Sequence, residues 1–542
     1  MPISDYVSPE VRRAALLALV VSSHYLWRQL VNYLVPDPYL DEVFHIPQAQ
    51  AYWEGRWTQW DPKITTPPAL YIFSYVVNLF RWGWDPSEYT LDAGELRLSN
   101  LILLYMLLLA LYVWTAVTRR EVNEQSVLQR EYCILSFPLL FFFSGLYYTD
   151  IFSTLAVVVA YSFWLAGSQA EGWWRAFFQV MHLLFGLVSL ASRQTNIFWV
   201  AIFLGGLQVV ETLKQGVGDD KIHDPPISET YFEDFSTVII SLAQHALPIL
   251  PRLILDLWPH LALLGSFAAF VVWNGGVVLG DKSNHVASLH GPQLLYLFPF
   301  IVFFSWPALL PQVSVVLGNL RANLPRPAMF LGFTVVAIVM VHLNTLVHPF
   351  TLADNRHYPF YIFRYFILPP YRKYLAAPVY VACGWLCIVA LGPASTAATA
   401  RISTTMSKSS ADGTRTIEFA RADTVHVSFV LIFLISTALS LVTAPLVEPR
   451  YFLIPWLIWR LHVPELLESD AAKEHWVQKS SGNNTSEYSS TFSRKVLDTV
   501  ASYAPSIELL WYMAINVLTG YLFLYRPFIW TQEPGKLQRF MW

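Results

Sequence analysis

The chain has 542 residues, of which 55% are hydrophobic, 16% aromatic and 13% charged, and its formal net charge at pH 7 is −3. Soluble domains carry about a quarter charged residues, so this composition excludes an ordinary soluble domain and indicates an all-α protein that crosses a lipid bilayer many times. The slightly negative net charge argues against a nucleic-acid partner.

The first apolar run covers residues 14–35 and follows Arg12 and Arg13 directly. It is long enough to span a membrane, and no small-residue cleavage site follows it, so we predict a retained signal anchor with its N-terminus in the cytosol. Later apolar runs predict roughly 12 to 14 transmembrane helices in a single membrane domain over residues 1–542. These runs cover residues 69–80, 97–118, 131–148, 150–167, 174–192, 194–210, 258–280, 292–312, 328–347, 376–395, 425–446, 449–462 and 505–526.

Three longer polar stretches separate some of these runs. We predict polar loops over residues 211–257, 396–424 and 467–495. The last loop contains overlapping acceptor triplets for N-glycosylation at Asn483 and Asn484, which matter only if that loop is lumenal.

The segment 36–68 joins the first two apolar runs and mixes ionisable with aromatic side chains. These side chains include Asp37, Asp41, Glu42, His45, Glu54, Asp61, Trp53, Trp57 and Trp60. Acids and aromatic rings beside a membrane are typical of a surface that handles sugars. An interfacial aromatic belt with solvated acids explains the same composition.

The spacing in this segment predicts a helix over residues 40–54. Such a helix places Asp41, His45 and Gln48 on one face, because residues three or four apart are neighbours on a helix surface, and it turns Glu42 away from them. We expect Pro47 to kink or restart the helix and Gly55 to end it. A carboxylate held on so stiff an element has the chemistry of a general base.

Four shorter segments carry side chains that suit a phosphate or a sugar. Residues 273–293 combine glycines with Lys282 and His285, and residues 348–366 combine Arg356 and His357 with aromatic rings. The other two segments are 191–196, with Arg193, and 448–456, with Arg450. For each segment, a helix-ending loop or a snorkelling arginine is the alternative interpretation.

Several of these stretches resemble one known family. They read YLDEVFHIPQAQAYWEGRWTQWDPKITTPPALY, SRQTNIFW, NGGVVLGDKSNH, HPFTLADNRHYPFYIFR, EPRYFLIPW and EPGKLQRFMW. In blocks from about residue 36 to the end of the sequence, the chain resembles the dolichyl-phosphate-glucose-dependent α-1,2-glucosyltransferases of N-glycan assembly. The polar loops at residues 211–257 and 396–424 match nothing in that pattern.

The resemblance implies a multispanning GT-C fold in the endoplasmic reticulum membrane, with a catalytic first lumenal loop at residues 36–68. The donor would be dolichyl phosphate β-glucose, and the acceptor a diglucosylated dolichyl-diphosphate oligosaccharide. A β-linked donor that gives an α-linked product requires a single inverting displacement with one base. No cofactor and no metal are expected. A sister GT-C transferase and a non-catalytic transporter are the alternatives.

The resemblance also implies roles for individual residues. Asp41 corresponds to the acidic base of the first lumenal loop, Glu42 is the second candidate for the base, and His45 orients Asp41 or touches the acceptor. Arg450 corresponds to a ligand of the donor phosphate. By their chemistry and their place in the matching stretches, rather than by a known role, Lys282, His285, Arg356 and His357 are assigned further contacts to the donor phosphate or sugar. Contacts to the acceptor are assigned to Gln48, Trp60 and Arg193.

Overall fold

A computed structural model of the chain describes residues 8–82, 89–118, 124–282, 289–318, 324–347, 352, 354–392, 425–444, 446–464, 500, 503–530, 533 and 535–542. Almost all regular structure in these ranges is helical. The first half contains α1 (Pro9–Leu34), α2 (Glu42–Trp53), α3 (Ala69–Trp82), α4 (Ala93–Thr118), α5 (Glu124–Leu135), α6 (Pro138–Ser144), α7 (Asp150–Gln169), α8 (Gly172–Ser192), α9 (Leu204–Val217), α10 (Phe232–Ala246), α11 (Leu250–Asp256) and α12 (Trp258–Asn274).

The second half contains α13 (Pro292–Gly318), α14 (Pro327–Asn344), α15 (Tyr358–Ile362), α16 (Arg372–Leu375), α17 (Ala377–Val389), α18 (Val427–Val442), α19 (Leu453–His462) and α20 (Ala504–Tyr525). Short 3₁₀ or π turns link several of them, among them Gln194–Asn196, Phe198–Phe203 and Pro449–Phe452. Two short antiparallel strands, β1 (Phe528–Ile529) and β2 (Leu537–Gln538), follow the last helix.

Within the described ranges, nine helices are long and apolar enough to cross a membrane, and two apolar helices of 10–17 residues accompany them. The all-α, multi-pass character predicted from composition is therefore confirmed. Fewer predicted runs form full spans than the sequence suggested. Residues 131–148 are split into α5 and α6 ahead of Pro138, and residues 449–462 form a short turn followed by the ten-residue α19.

One predicted loop needs correction. Residues 211–257 were expected to form a polar loop, but residues Phe232–Asp256 are helical and apolar enough to be a candidate span. Two acids of this stretch, Glu233 and Asp234, lie in the first turn of α10, where a helix favours negative charge. The predicted loops at 396–424 and 467–495 lie outside the described residues.

The helices pack around an aromatic core. The rings of Phe137 and Trp456 stack with centroids 3.5 Å apart, and Trp27 Nε1 of α1 donates to the carbonyl of Phe142 at 2.9 Å. Arg460 and Glu508 form a buried ion pair at 2.7 Å between α19 and α20. A buried pair of this kind fixes how two helices align, because either charge alone would be costly.

The segment that follows α1 is fastened to distant parts of the chain. Tyr39 Oη donates to the carbonyl of Arg539 at 2.7 Å and accepts from the Arg539 amide at 2.7 Å. Farther along, the amides of Leu279 and Asp281 donate to the carbonyls of Thr65 and Pro62 at 3.1 and 2.7 Å. Both ends of the first loop are therefore held by elements hundreds of residues away in sequence.

Candidate functional site

The carboxylate of Asp41 lies at the start of α2. The preceding residue, Leu40, has a φ of 52°, an unusual value for a non-glycine residue, and this turn directs the chain into the helix. The Asp41 amide donates to Tyr148 Oη at 3.1 Å. The Asp41 side chain is 40% exposed, so a substrate can reach it. The helix begins at Glu42 and continues through Pro47 without the predicted restart, and Gly55 ends it with a φ of 78°.

Arg450 approaches Asp41 from the short turn that precedes α19. Its Nη1 donates to Asp41 Oδ2 at 2.8 Å, its Nε donates to Glu448, and the guanidinium lies 6.0 Å from the ring centroid of Tyr148. Burial by itself would raise the pKa of Asp41, but the nearby charges of Arg450 and His45 lower it below its ordinary value. Asp41 is thus an ionised carboxylate that shares its arginine with a second acid.

Glu42 is placed differently from its neighbour, and its candidate role as a base is corrected. Its side chain is fully buried, and Arg97 binds both carboxylate oxygens, at 2.9 and 2.6 Å. The amides of Tyr39 and Tyr147 donate to it at 3.1 and 2.7 Å. With four donors and no exposure, Glu42 anchors the loop to α4 and is closed to substrate.

His45 lies on the same side of α2 as Asp41. Its Nδ1 is 2.5 Å from Tyr71 Oη, so this nitrogen bonds to Tyr71 rather than to Asp41. Burial lowers the pKa of His45, and the Asp41 charge only partly opposes that effect. The pKa of His45 therefore lies below its ordinary value, and its ring is held by Tyr71.

A second ion pair adjoins the first. Arg193 Nη2 lies 3.0 Å from Asp150 Oδ1, and the Arg193 guanidinium lies 5.9 Å from the ring centroid of Tyr451, the residue after Arg450. Sequence reasoning missed both Asp150 and Tyr148. The available signal was the Tyr147–Asp150 interruption between two apolar runs, which we interpreted only as the boundary between adjoining spans.

Two predicted acceptor contacts serve the loop itself. Gln48 is 3% exposed, its amide nitrogen donates to the Gln59 carbonyl at 2.7 Å, and its amide oxygen accepts from the Asp61 amide at 2.9 Å. Its predicted contact with the acceptor is therefore corrected, because both of its polar groups are used within the loop. Trp60 is half-buried, donates to the Ile64 carbonyl at 3.3 Å and stays a predicted acceptor contact.

The predicted donor contacts other than Arg450 do not join this cluster. Lys282 is exposed and binds the carbonyl of Asn274, and His285 lies outside the described residues. Arg356 makes three contacts of 2.6–3.0 Å with Asp354 and one of 2.8 Å with Gln538, so its guanidinium is already paired. Arg450 is paired with acids as well, so this pairing does not decide the role of Arg356, and its donor contact stays a prediction.

His357 is held by a hydrogen bond but is partly exposed. Its Nδ1 lies 3.1 Å from the Trp542 carbonyl oxygen, yet its side chain is 35% exposed and its charge, when protonated, acts on Asp41. It stays a predicted donor contact. Within the described ranges, no group of three His, Cys, Asp or Glu side chains could hold a metal ion.

The chemistry of the cluster follows from its charges. Asp41 is a reachable carboxylate that can accept a proton, and the guanidinium beside it can bind a phosphate. The cluster lies where the loop after α1, the start of α7, the end of α8 and the turn before α19 meet. Because α7 and α8 are candidate membrane spans, a substrate with a lipid tail could reach it from the bilayer.

Known proteins resemble the chain over nearly its whole length. A model of the DIE2/ALG10 family matches residues 35–461. An Aspergillus fumigatus protein named Dol-P-Glc:Glc(2)Man(9)GlcNAc(2)-PP-Dol alpha-1,2-glucosyltransferase is 38% identical over 601 residues, which cover 95% of this chain and 96% of that protein. A Rattus norvegicus protein of the same name is 33% identical over 521 residues, with 93% of each chain covered.

A solved structure also resembles it weakly. ArnT from Cupriavidus metallidurans, bound to undecaprenyl phosphate, is 14% identical and aligns with a TM-score of 0.38 over 94% of this chain and 76% of its own. The sequence matches, rather than this structural likeness, decide the family.

Proposed function

This chain belongs to the DIE2/ALG10 family, and from that premise we propose that it transfers glucose from dolichyl phosphate β-glucose, in α-1,2 linkage, to a diglucosylated dolichyl-diphosphate oligosaccharide. Relatives named for this reaction align with 93–95% of the chain. The reaction would take place at the lumenal face of the endoplasmic reticulum membrane, by a GT-C-type enzyme.

The observation that carries the mechanism is the reachable carboxylate of Asp41 beside Arg450. In an inverting displacement, the 2-hydroxyl oxygen of the acceptor's outermost glucose attacks the anomeric carbon as the bond to the phosphate oxygen breaks. The hydroxyl proton passes to Asp41, and the electron pair of the broken bond stays on the departing dolichyl phosphate. Asp41 is the candidate base because Glu42 is closed to substrate.

Arg450 supplies positive charge to the leaving phosphate. A phosphodiester carries one negative charge, and the released phosphomonoester carries about −1.5 to −2 at pH 7. A guanidinium at the phosphate therefore stabilises the transition state more than the ground state, which is the condition for raising kcat. The scheme uses no metal, because the donor's single phosphate lacks the diphosphate that divalent ions commonly chelate.

The test is single-turnover transfer by the purified protein in detergent, with synthetic dolichyl phosphate glucose and the diglucosylated acceptor. We expect wild type to transfer glucose with and without chelator, and Asp41→Asn to lose transfer. Asp61→Asn, a change in the same loop away from Arg450, is the matched control and should keep it. A folded wild-type protein that leaves this donor unused would reject the proposed reaction.

A further inference from the structure

Two guanidinium groups, not one, lie at the candidate site. Arg450 is 21% exposed and Arg193 is 15% exposed, so both are reachable in part. Arg193 directly follows the last residue of α8, and its extended backbone, with φ −156° and ψ 123°, turns the chain away from the helix axis. Its guanidinium lies near the ring of Tyr451, the residue next to Arg450. The two arginines thus belong to one cluster although they are 257 positions apart.

Asp150 is the residue that fixes Arg193. It is the first residue of α7 and is 2% exposed, and its Oδ1 lies 3.0 Å from Arg193 Nη2. Among the residues that the structure describes, none donates a hydrogen bond of good geometry to either carboxylate oxygen of Asp150. A buried carboxylate so poorly satisfied is costly unless nearby positive charge compensates it. The start of α7 and the two arginines supply that charge, and Arg450 lies within the field of Asp150.

The reaction creates a need for a second cation. As the glycosidic bond breaks, the phosphate changes from a diester with one charge to a monoester that approaches two, while Asp41 loses its charge by taking a proton. Negative charge therefore moves from Asp41 to the phosphate. Arg450 alone matches the ground-state donor, and a second guanidinium matches the product of bond cleavage. Preorganised cations at the point where charge develops are typically the largest source of transition-state stabilisation.

We propose that Arg193 is a second ligand of the donor's phosphate, beside Arg450, and that Asp150 is the positioning residue that holds Arg193 in place. This inference deepens the proposed function and rests on it. It replaces the sequence-based prediction that Arg193 contacts the acceptor. Asp150 itself is no base, since it is almost fully buried while Asp41 is 40% exposed.

The experiment compares Arg193→Gln, Arg193→Lys and Asp150→Asn with wild type. It measures kcat and KM for each substrate, together with equilibrium binding of labelled dolichyl phosphate, the product. The other end of α8 offers a matched control, because Arg175 Nη2 and Asp256 Oδ1 form an ion pair at the same distance, 3.0 Å. Arg175→Gln and Asp256→Asn remove that pair and leave the candidate site untouched.

We expect Arg193→Gln to lower kcat about 100-fold, the usual effect of removing one preorganised donor, with donor KM within about threefold of wild type. Dolichyl phosphate should bind more weakly to this variant, because the product carries the extra charge. Asp150→Asn should change kcat in the same direction by about tenfold, and Arg193→Lys should fall between, since an ammonium lacks the planar fork. The two control variants should match wild type.

Arg193→Gln leaves Asp150 as an uncompensated buried charge, so the double variant Asp150→Asn/Arg193→Gln is included to preserve folding. It must show the same loss of kcat. A raised acceptor KM with unchanged kcat would overturn the inference in favour of an acceptor contact. If folded wild type transfers no glucose, the proposed function fails, and the binding measurement still decides: equal dolichyl phosphate affinity in wild type and Arg193→Gln overturns the inference.

Discussion

Arg450 Nη1 donates to Asp41 Oδ2 at 2.8 Å, so the candidate base and the candidate phosphate ligand bind each other in the substrate-free protein. The two roles compete for one contact. An attacking hydroxyl and a departing phosphate lie on opposite sides of the anomeric carbon during inversion, so a phosphate bound to Arg450 draws this guanidinium away from a base that faces the acceptor. We infer that the donor phosphate takes over Arg450 and that Asp41 is released to face the acceptor.

Replacing Asp41 with Asn should therefore have two opposite effects. Transfer should fall by at least about 100-fold, because general-base catalysis is lost. Dolichyl phosphate should bind more tightly, because the variant removes a negative charge that competes with the phosphate for Arg450. Equilibrium binding of labelled dolichyl phosphate to wild type and variant measures the second effect. Weaker binding would mean that Asp41 holds Arg450 in place for the ligand and does not compete with it.

The pH dependence of kcat/KM for the donor should show how Arg450 affects the protonation of Asp41. The Arg450 charge overcomes the effect of burial and lowers the pKa of Asp41, and protonated Asp41 cannot accept a proton. The free wild-type enzyme should thus stay active to a lower pH than an enzyme whose base is an ordinary aspartate. In Arg450→Gln, burial remains without its main opposing charge, so the residual activity should be lost at a higher pH.

The pH profile of kcat provides an internal check on this prediction. kcat reports the donor-bound enzyme, in which the phosphate occupies Arg450, so its acidic limb should lie above that of kcat/KM. Asp61→Asn is the control and should leave both limbs where they are in wild type. An acidic limb that is unmoved in Arg450→Gln would show that Arg450 does not set the protonation of Asp41.

Local sequence patterns predicted the features that depend on neighbouring residues. The helix expected over residues 40–54 forms over Glu42–Trp53, because three- and four-residue spacing is a local property. Gly55 ends it as expected, since its φ of 78° suits a residue without a side chain.

Ion pairs between residues far apart in sequence distinguish candidate site residues that local patterns could not distinguish. Asp41 and Glu42 are adjacent acids, and only the approach of Arg97, 55 residues away, buries one of them. Asp150 gave no separate signal, because its partner Arg193 lies beyond the next helix. Arg356 and Arg450 both have the chemistry of a phosphate ligand, and each binds the acid two residues before it, but of the two it is Arg450 that also contacts Asp41. Residue type can suggest a role, and the pairing of charges in space selects among the candidates.

Glu42→Gln should lower the stability of the fold and leave the catalytic base in place. Removing one charge of the buried pair with Arg97 leaves an uncompensated buried cation, which typically costs about 3–5 kcal/mol. We expect a lower midpoint in denaturant unfolding, and donor and acceptor KM near wild type in the protein that remains folded. Glu54→Gln breaks an exposed pair with Arg56 and should change stability by less than about 1 kcal/mol. A folded, stable Glu42→Gln protein without activity would restore Glu42 as the base.

Gly280 offers a test of how the first loop is held. Its φ is 64°, and a Cβ at this position would lie 2.2 Å from the carbonyl oxygen of Pro62, so no side chain fits. Gly280→Ala should push the strap at residues 279–281 away from the loop and break the hydrogen bonds from the Leu279 and Asp281 amides. Faster hydrogen exchange in a peptide that contains these two amides is the expected result.

The effect on transfer follows from the connection between strap and loop. Thr65, which accepts from the Leu279 amide, also accepts from Gln194 Nε2 at 2.7 Å, next to Arg193. Loosening this contact should lower kcat by about tenfold, because small shifts of positioned groups are costly in catalysis. Gly265→Ala is the matched control, since a Cβ there meets no atom of the described part of the chain within 4 Å. Unchanged exchange in Gly280→Ala would show that the strap tolerates the side chain, and normal kcat with fast exchange would show that the strap does not position the site.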